Sequence, residues 1–218
     1  MALPEPADVL VSEIIGNEPL GERVLEATGD AIRRLLKPDA RFIPRGVRIY
    51  GVPVEVPAES IAEHRFAEES QRRWREWYGI DFTPLHRTAV YPTYYQYFLK
   101  PFRSRDWIRL ADPALIAEVD LTVENQPRLE RTVSATTRAG GTLSGFILYF
   151  DLDLAPGVTL SLHPDAVEET CSWAQPVWIL KEPFEVEAGE ELSIEYAYRA
   201  SRIPYTLRIS RASTPESA

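Results

Sequence analysis

Two glutamates near the amino terminus are the residues whose type and spacing best fit binding chemistry. Residues 11–27 read VSEIIGNEPLGERVLEA, and they place Glu13 nine positions before Glu22, with a Gly-Asn-Glu-Pro turn between them. Two carboxylates held near each other can bind a cation that offers several hydrogen-bond donors. Each glutamate also has a purely structural explanation. Glu22 would interact favourably with the dipole of a helix, and Glu13 could be a surface residue beside a turn.

The apolar pattern around these glutamates predicts a strand, a turn and a helix. The run DVLVSEII is apolar, and from residue 20 to residue 36 the apolar side chains recur with the helical period. The helix is predicted to end at Lys37 and Pro38, because proline cannot continue it. Glu13 would then lie at the carboxyl end of the strand and Glu22 in the first turn of the helix. Open α/β sheets place their ligand sites there.

One strand with one helix exposes an apolar edge when it stands alone. Only seven residues precede Asp8, so no upstream strand is available to cover that edge. We therefore expect the strand and helix to pack on the rest of the chain or on another chain, or to be a piece of a longer protein.

The rest of the chain is predicted to be mostly β, so the fold class is α+β. Residues 57–82 have the composition of one or two helices, and residues 88–102, rich in tyrosine and proline, are predicted to be irregular. Alternating or continuous apolar patterns predict short strands of an antiparallel sandwich or barrel at 46–56, 117–124, 145–154, 157–164, 176–186, 191–198 and 204–210. The glycine-rich run at 140–145 is predicted to be a hairpin turn, because no helix follows it to form a phosphate cradle.

Composition excludes several classes of function. The net charge of −9 and the pI near 5.0 argue against nucleic acid as a partner and favour a basic ligand. The single cysteine, Cys171, and three widely separated histidines give no metal-ligand spacing, so no metal site is predicted. No signal peptide and no apolar run of about 20 residues is present, and we expect a cytoplasmic protein without a membrane partner. The cationic run at 72–77 is typical of one face of a solvated helix.

Several sequence blocks, in order, resemble the protein arginine methyltransferases from about residue 8 to residue 209. DVLVSEIIGNEPLGE is similar to the double-glutamate loop of that family, and KPDARFIPRGVRIYGVPVE to the segment that leads into its first barrel strand. WREWYGIDFTPL resembles the family's inserted arm. The family's barrel, its tryptophan-containing substrate loop and a late turn are resembled by the blocks GFILYFDLDL, SLHP, CSWAQPVWIL and EAGE.

The resemblance implies a domain organisation and a function. Residues 1–45 would be a strand-helix remnant of a Rossmann-like methyltransferase domain, and residues 46–212 a substrate-binding β-barrel or sandwich. A helical dimerisation arm at about 60–95 would be inserted in that barrel, and residues 213–218 would be a disordered tail. Glu13 and Glu22 would clamp the guanidinium of an arginine in a protein or peptide. Trp173 would wall its pocket, with Ser172 beside it.

The sequence departs from the family in three places. Before residue 8 there is no glycine-rich turn of the kind that holds S-adenosylmethionine, so we expect this chain alone not to bind that cofactor, and its cofactor-binding residues are unknown. Ser172 replaces the family's loop histidine, and Ile14-Ile15 replaces its tryptophan-methionine pair. The resemblance implies a homodimer formed through the arm, or association with a cofactor-binding half on another polypeptide. Without that half the chain would be monomeric, or would associate non-specifically through the arm and the exposed strand at residues 9–11.

Two other functions fit the sequence. The chain could be a non-catalytic module that binds arginine-rich peptides in an acidic groove, a function that the charge balance supports equally well. The many tyrosines and tryptophans would also suit a carbohydrate-binding β-sandwich, but that fold has no place for the helical arm or for the acidic strand-turn-helix.

Overall fold

The amino-terminal segment forms a strand-helix-strand unit. The computed structural model describes residues 3–64, 68–84, 94–200 and 205–212. In it, β1 (Ala7–Val11) and β2 (Leu36–Ile43) are parallel and hydrogen-bonded, and α1 (Val24–Arg34) connects them. The predicted end of the helix at Lys37 and Pro38 is therefore wrong, because the chain has already turned back into β2. Pro38 is accommodated where the register of the two strands shifts, between Ala7 and Val9 of β1.

Two helices follow the first long strand of the β region. These are α2 (Ala58–His64) and α3 (Glu68–Tyr78), which match the helical pattern predicted for this segment. At the end of α3, Arg75 donates a hydrogen bond from Nη2 to Oδ1 of Asp81 at 2.6 Å. Trp77, Tyr78 and Ile80 are exposed there. The residues at 65–67 and 85–93, which belong to the predicted arm, lie outside the described part of the chain, as does the predicted tail at 213–218.

The β region is built from two antiparallel sheets, so the predicted fold class, mostly β with an amino-terminal strand and helix, is confirmed. The larger sheet has the order β4–β10–β8–β3–β5, with β6 also paired to β3 and β9 to β8, and the smaller has the order β12–β11–β7. The strands of the larger sheet are β3 (Gly46–Glu55), β4 (Tyr94–Leu99), β5 (Ile108–Arg109), β6 (Ala114–Asp120), β8 (Gly141–Ala155), β9 (Val158–Ser161) and β10 (Gln175–Val186). Those of the smaller are β7 (Arg128–Thr136), β11 (Glu191–Arg199) and β12 (Tyr205–Arg211).

One apolar core joins the two sheets and the amino-terminal unit. Trp178 of β10 stacks near Phe146 of β8 and near Tyr196 of β11, with ring centroids 6.3 and 6.4 Å away. Leu20 and Val24, from the loop before α1 and from α1 itself, are fully buried in the same cluster. The amino-terminal unit therefore packs on the β region, one of the arrangements that we expected for it.

Three local predictions in the β region were wrong or incomplete. Residues 94–99, predicted to be irregular, form β4, because their backbone pairs with β10 along its first half. The run at 140–145 is not a hairpin turn, since β8 begins at Gly141 and pairs there with Val186. β7 was not predicted, and it pairs with β11 over its whole length.

Candidate functional site

The segment between β1 and α1, residues 12–23, is called the glutamate loop here. Glu13 lies two residues beyond the end of β1, as predicted. Glu22 does not lie in the first turn of α1, because that helix begins at Val24 and is preceded by Arg23 in the left-handed conformation with φ 62°. Both glutamates are exposed, and among the described residues neither carboxylate has a hydrogen-bond or ion-pair partner.

The middle of the glutamate loop is fastened to the segment that precedes β10. Trp173 donates a hydrogen bond from Nε1 to the carbonyl oxygen of Ile15, at 2.7 Å. The next backbone N–H, that of Ala174, donates to Oδ1 of Asn17 at 2.8 Å. The Trp173 ring meets Phe150 of β8 edge to face, with the ring centroids 6.2 Å apart. The structure thus brings the predicted wall residue Trp173 against the glutamate loop, and its ring orientation is fixed from both sides.

Ser172 is exposed, and its backbone rather than its side chain is held. Lys100, which follows β4, donates from Nζ to the carbonyl oxygens of Cys171 and Ser172, at 2.8 Å each. Two charge-assisted bonds from one ammonium group hold these successive carbonyls in place. Lys100 was missed by the sequence analysis, because nothing in the local pattern of β4 indicates a contact with residues 71 and 72 positions away.

Two glycines, Gly16 and Gly21, lie where the loop folds back on itself. A Cβ atom built on Gly16 would lie 3.0 Å from Oε1 of Glu22, so the Glu22 carboxylate lies over this glycine. A Cβ on Gly21 would lie 3.2 Å from the hydroxyl of Tyr205. The N–H of Gly21 donates to the carbonyl oxygen of Glu18 at 2.9 Å and closes a tight turn immediately before Glu22.

Glu18 is a third acid in the loop, and it differs from the other two. Its carboxylate accepts a hydrogen bond from Nε2 of Gln96 on β4. Burial raises the pKa of this carboxyl to about 7, and the bond to Gln96 lowers it by a smaller amount. In the sequence, Glu18 belongs to the predicted Gly-Asn-Glu-Pro turn. Its position directly before Pro19, on a loop with two other acids, was the only local signal.

Neither a metal site nor a cofactor site is identified elsewhere among the described residues. Within the described ranges, no three His, Cys, Asp or Glu side chains form a group that could hold a metal ion. The glycine-rich run at 140–145 lies at the start of β8 and not at the head of a helix, so it does not fit a cofactor. No described helix is long and apolar enough to cross a bilayer.

Comparison with known proteins identifies the family. A model of the arginine methyltransferase oligomerization subdomain matches residues 55–210. The chain is 28% identical over 207 residues to an arginine N(omega)-methyltransferase of Streptomyces achromogenes, covering 94% of this chain and 52% of that protein. It is 29% identical over 209 residues to the probable histone-arginine methyltransferase 1.4 of Arabidopsis thaliana, covering 88% of this chain and 36% of that protein. The chain thus spans about half or less of the length of these relatives.

Comparison with solved structures finds the same fold in a protein of known structure. The Trypanosoma brucei PRMT1 enzyme-prozyme heterotetrameric complex with AdoHcy contains a chain of the same fold, with a TM-score of 0.73 and 19% identity. That match covers 100% of this chain and 68% of the other. The predicted resemblance is confirmed: this chain belongs to the arginine methyltransferase family and carries its carboxyl-terminal oligomerization subdomain.

Proposed function

We propose that this chain forms the acceptor side of an S-adenosylmethionine-dependent arginine methyltransferase, with Glu13 and Glu22 holding the guanidinium group. The observation that carries the proposal is the contrast within the glutamate loop. Ile15, Asn17 and Glu18 all bond to the β region, whereas Glu13 and Glu22 are exposed and have no partner among the described residues. A rigid loop that leaves two carboxylates unpaired is ready to bind a cation.

A guanidinium group fits these carboxylates for chemical reasons. It is planar, always charged and carries five N–H donors in a fixed fork, so each carboxylate can accept paired hydrogen bonds from it. The ring of Trp173, fixed against Ile15, would flank the group. Holding the guanidinium in one orientation would direct one nitrogen toward the methyl donor, which is catalysis by positioning. S-adenosylmethionine, when bound, would supply the methyl group.

The exposed amino-terminal sheet is the surface on which we place a cofactor-binding portion. The relatives extend beyond the matched span, and a two-stranded parallel sheet ordinarily needs neighbouring strands or helices. Val9, Val11 and Ile43 on this sheet are exposed, with Val11 at 70%. A cofactor-binding portion packed here would cover these side chains and bring the methyl donor to the end of β1, next to Glu13.

The tip of α3 is the surface to which we assign oligomerization. Trp77 and Tyr78, at the end of a charged helix, are exposed by 63% each, and their rings meet edge to face; Ile80, just beyond the helix, is exposed by 55%. Exposed apolar patches on a protein surface commonly take part in interactions. We propose that the tip of α3 docks on the cofactor-binding portion of a second subunit. Light scattering of a protein that contains both portions should show a dimer, and Trp77→Glu should shift it to the monomer.

The first test is acceptor binding by the chain itself. Calorimetric titration with a glycine-arginine-rich peptide should show saturable binding that weakens with salt. A matched peptide with lysine at every arginine should bind at least about tenfold more weakly, because lysine cannot form the forked bonds. Glu13→Gln and Glu22→Gln should each weaken arginine binding by a similar factor. Equal affinity for the two peptides, or unchanged affinity in both variants, would contradict the assignment.

The second test distinguishes catalysis from simple binding. The chain, fused to the cofactor-binding portion of the Streptomyces relative, is given S-adenosylmethionine with labelled methyl groups. Free arginine should be among the acceptors, since the name of that relative specifies arginine rather than a protein. Methyl transfer that Glu22→Gln abolishes would support the proposal. A folded fusion that binds arginine peptides and transfers nothing would favour the non-catalytic acidic module instead.

A further inference from the structure

The side chain of Glu18 connects the glutamate loop to the β region at a point that the proposed guanidinium site does not use. Its carboxylate accepts a hydrogen bond from Gln96 on β4, and its carbonyl oxygen accepts one from the N–H of Gly21. The same residue therefore ties a turn together and fastens that turn to a strand. Glu22 follows the turn directly, and its carboxylate lies over Gly16.

We propose that Glu18 is a positioning residue that sets the location of the Glu22 carboxylate by fastening the preceding turn to β4. This role rests on the proposed function, because the location of Glu22 matters through the guanidinium that it binds. Glu18 acts through Glu22 and is not itself a catalytic residue. The hydroxyl of Tyr205 on β12 lies beside the same turn, since a Cβ atom built on Gly21 would be 3.2 Å from it.

The surroundings of Glu18 make this attachment dependent on pH. Burial raises the pKa of its carboxyl to about 7, and Gln96, its hydrogen-bond partner, is uncharged. The titratable group that faces it is the hydroxyl of Tyr205, and burial raises the pKa of that hydroxyl too, so Tyr205 stays neutral. Among the described residues no charged side chain contributes to the shift at Glu18. Ionised Glu18 is thus a partly buried anion without a compensating cation among the described residues.

The direction of the pH effect follows from linkage. When the turn detaches from β4, Glu18 is solvated and its pKa returns toward the ordinary value of 4.5. The attached form therefore holds the proton more tightly, and attachment is strongest below about pH 4.5. It weakens as the pH rises toward 7 and changes little above that. Between pH 6 and pH 8 the attachment equilibrium should fall about tenfold.

Hydrogen-deuterium exchange on the unliganded chain tests this attachment. The readout is the protection factor of the Gly21 amide, corrected for the intrinsic exchange rate at each pH. In the wild type it should fall about tenfold from pH 6 to pH 8. Glu18→Gln keeps a side chain of the same shape that cannot ionise, so its protection should be independent of pH. Glu22→Gln is the matched control, and it should retain the wild-type dependence.

Two outcomes would overturn the inference. One is protection in the wild type that does not change between pH 6 and pH 8, and the other is the same pH dependence in Glu18→Gln as in the wild type. Gln96→Leu provides a second variant that leaves every acid of the loop in place. It should lower the protection of the Gly21 amide and weaken arginine-peptide binding about tenfold, although it alters neither Glu13 nor Glu22. Unchanged protection and affinity in this variant would also overturn the inference.

Failure of this inference is distinguishable from failure of the proposed function. If protection depends on pH as described but the wild type binds no arginine peptide, the attachment of Glu18 is supported and the acceptor assignment is overturned. If arginine peptides bind and protection is the same at both pH values, the acceptor assignment is supported and the role of Glu18 is overturned.

Discussion

Replacing Gly16 with alanine should separate the stability of the fold from the geometry of the acceptor site. The φ of Gly16 is not in the left-handed region, so alanine adds no backbone strain of that kind. The new Cβ would lie 3.0 Å from Oε1 and 3.4 Å from Cγ of Glu22, and 3.5 Å from the carbonyl oxygen of Glu18. Because the Glu22 side chain is exposed, it is the group that will move.

The size of the effect follows from these distances. Ordinary contacts of a Cβ atom lie between 3.4 and 4 Å, so the Glu22 oxygen has to move by a few tenths of an ångström. A shift of that size spoils one of the two bonds in a paired arrangement with a guanidinium. The loss of one charge-assisted hydrogen bond is worth about 1.5 kcal/mol, which is roughly tenfold in Kd. The free energy of unfolding should change by less than about 1 kcal/mol, because the contact is at an exposed site.

The assay compares two measurements on the same protein. Urea denaturation gives the free energy of unfolding, and calorimetric titration with the arginine peptide gives Kd. Gly16→Ala should leave the free energy of unfolding nearly unchanged and raise Kd about tenfold. Combining it with Glu22→Gln should add little further loss, because both changes act on the same carboxylate. If Gly16→Ala binds the arginine peptide as tightly as the wild type, the placement of Glu22 in the acceptor site is wrong.

Four further substitutions test the fold and the loop. Gly51→Ala should destabilise the protein by about 3 kcal/mol in urea denaturation, since its Cβ would come within 1.9 Å of a ring on β8, and a small change would refute this packing. Trp173→Phe removes the 2.7 Å bond to the carbonyl of Ile15, so it should cost about 1 to 2 kcal/mol of stability and also weaken arginine binding. Glu13→Gln should change the free energy of unfolding by less than about 0.5 kcal/mol. Asp165→Asn breaks the two hydrogen bonds to Arg109, so it should lower stability and leave arginine binding unchanged. If Glu13→Gln lowers stability and leaves arginine binding unchanged, Glu13 has a structural role.

The sequence predicted those parts of the fold that local patterning determines. Alternation of apolar and polar residues identified the strands that became β6 and β11, and the apolar run at 145–154 identified most of β8. Local patterning did not identify β4 or β2, because these segments become strands by pairing with other strands and their composition does not indicate it. Tyr94–Leu99 contains adjacent aromatic residues without clean alternation, and Leu36–Ile43 contains a proline. Residues 94–99 form a strand because they pair with β10, and residues 36–43 because they pair with β1.

The sequence indicates the two ends of the glutamate loop but not its centre. Residue type and spacing single out Glu13 and Glu22, and the proposed roles of these two residues and of Trp173 come from the resemblance, which depends on residue identity. The bonds that fix the loop are made by Ile15 through its backbone and by Glu18 through Gln96. Every residue has a backbone carbonyl group, so residue type does not indicate which carbonyl accepts a hydrogen bond. The partner of Glu18 is 78 positions away in the sequence. Such contacts become visible only when the two segments are placed side by side.

The same division fits the proposed function, in which a loop fastened at its centre presents two unpaired carboxylates. Ile15, Asn17 and Glu18 bond to the segment before β10 and to β4, and the N–H of Ser12 bonds to the carbonyl oxygen of Ile43 at the end of β2. Fixing the centre in this way removes the entropy cost of ordering the loop when a ligand binds. Under the proposed function, the two flanking carboxylates, which have no partner among the described residues, are available to a cation. A loop of the same sequence anchored through Glu13 or Glu22 would be as stable and would have no free charge to offer.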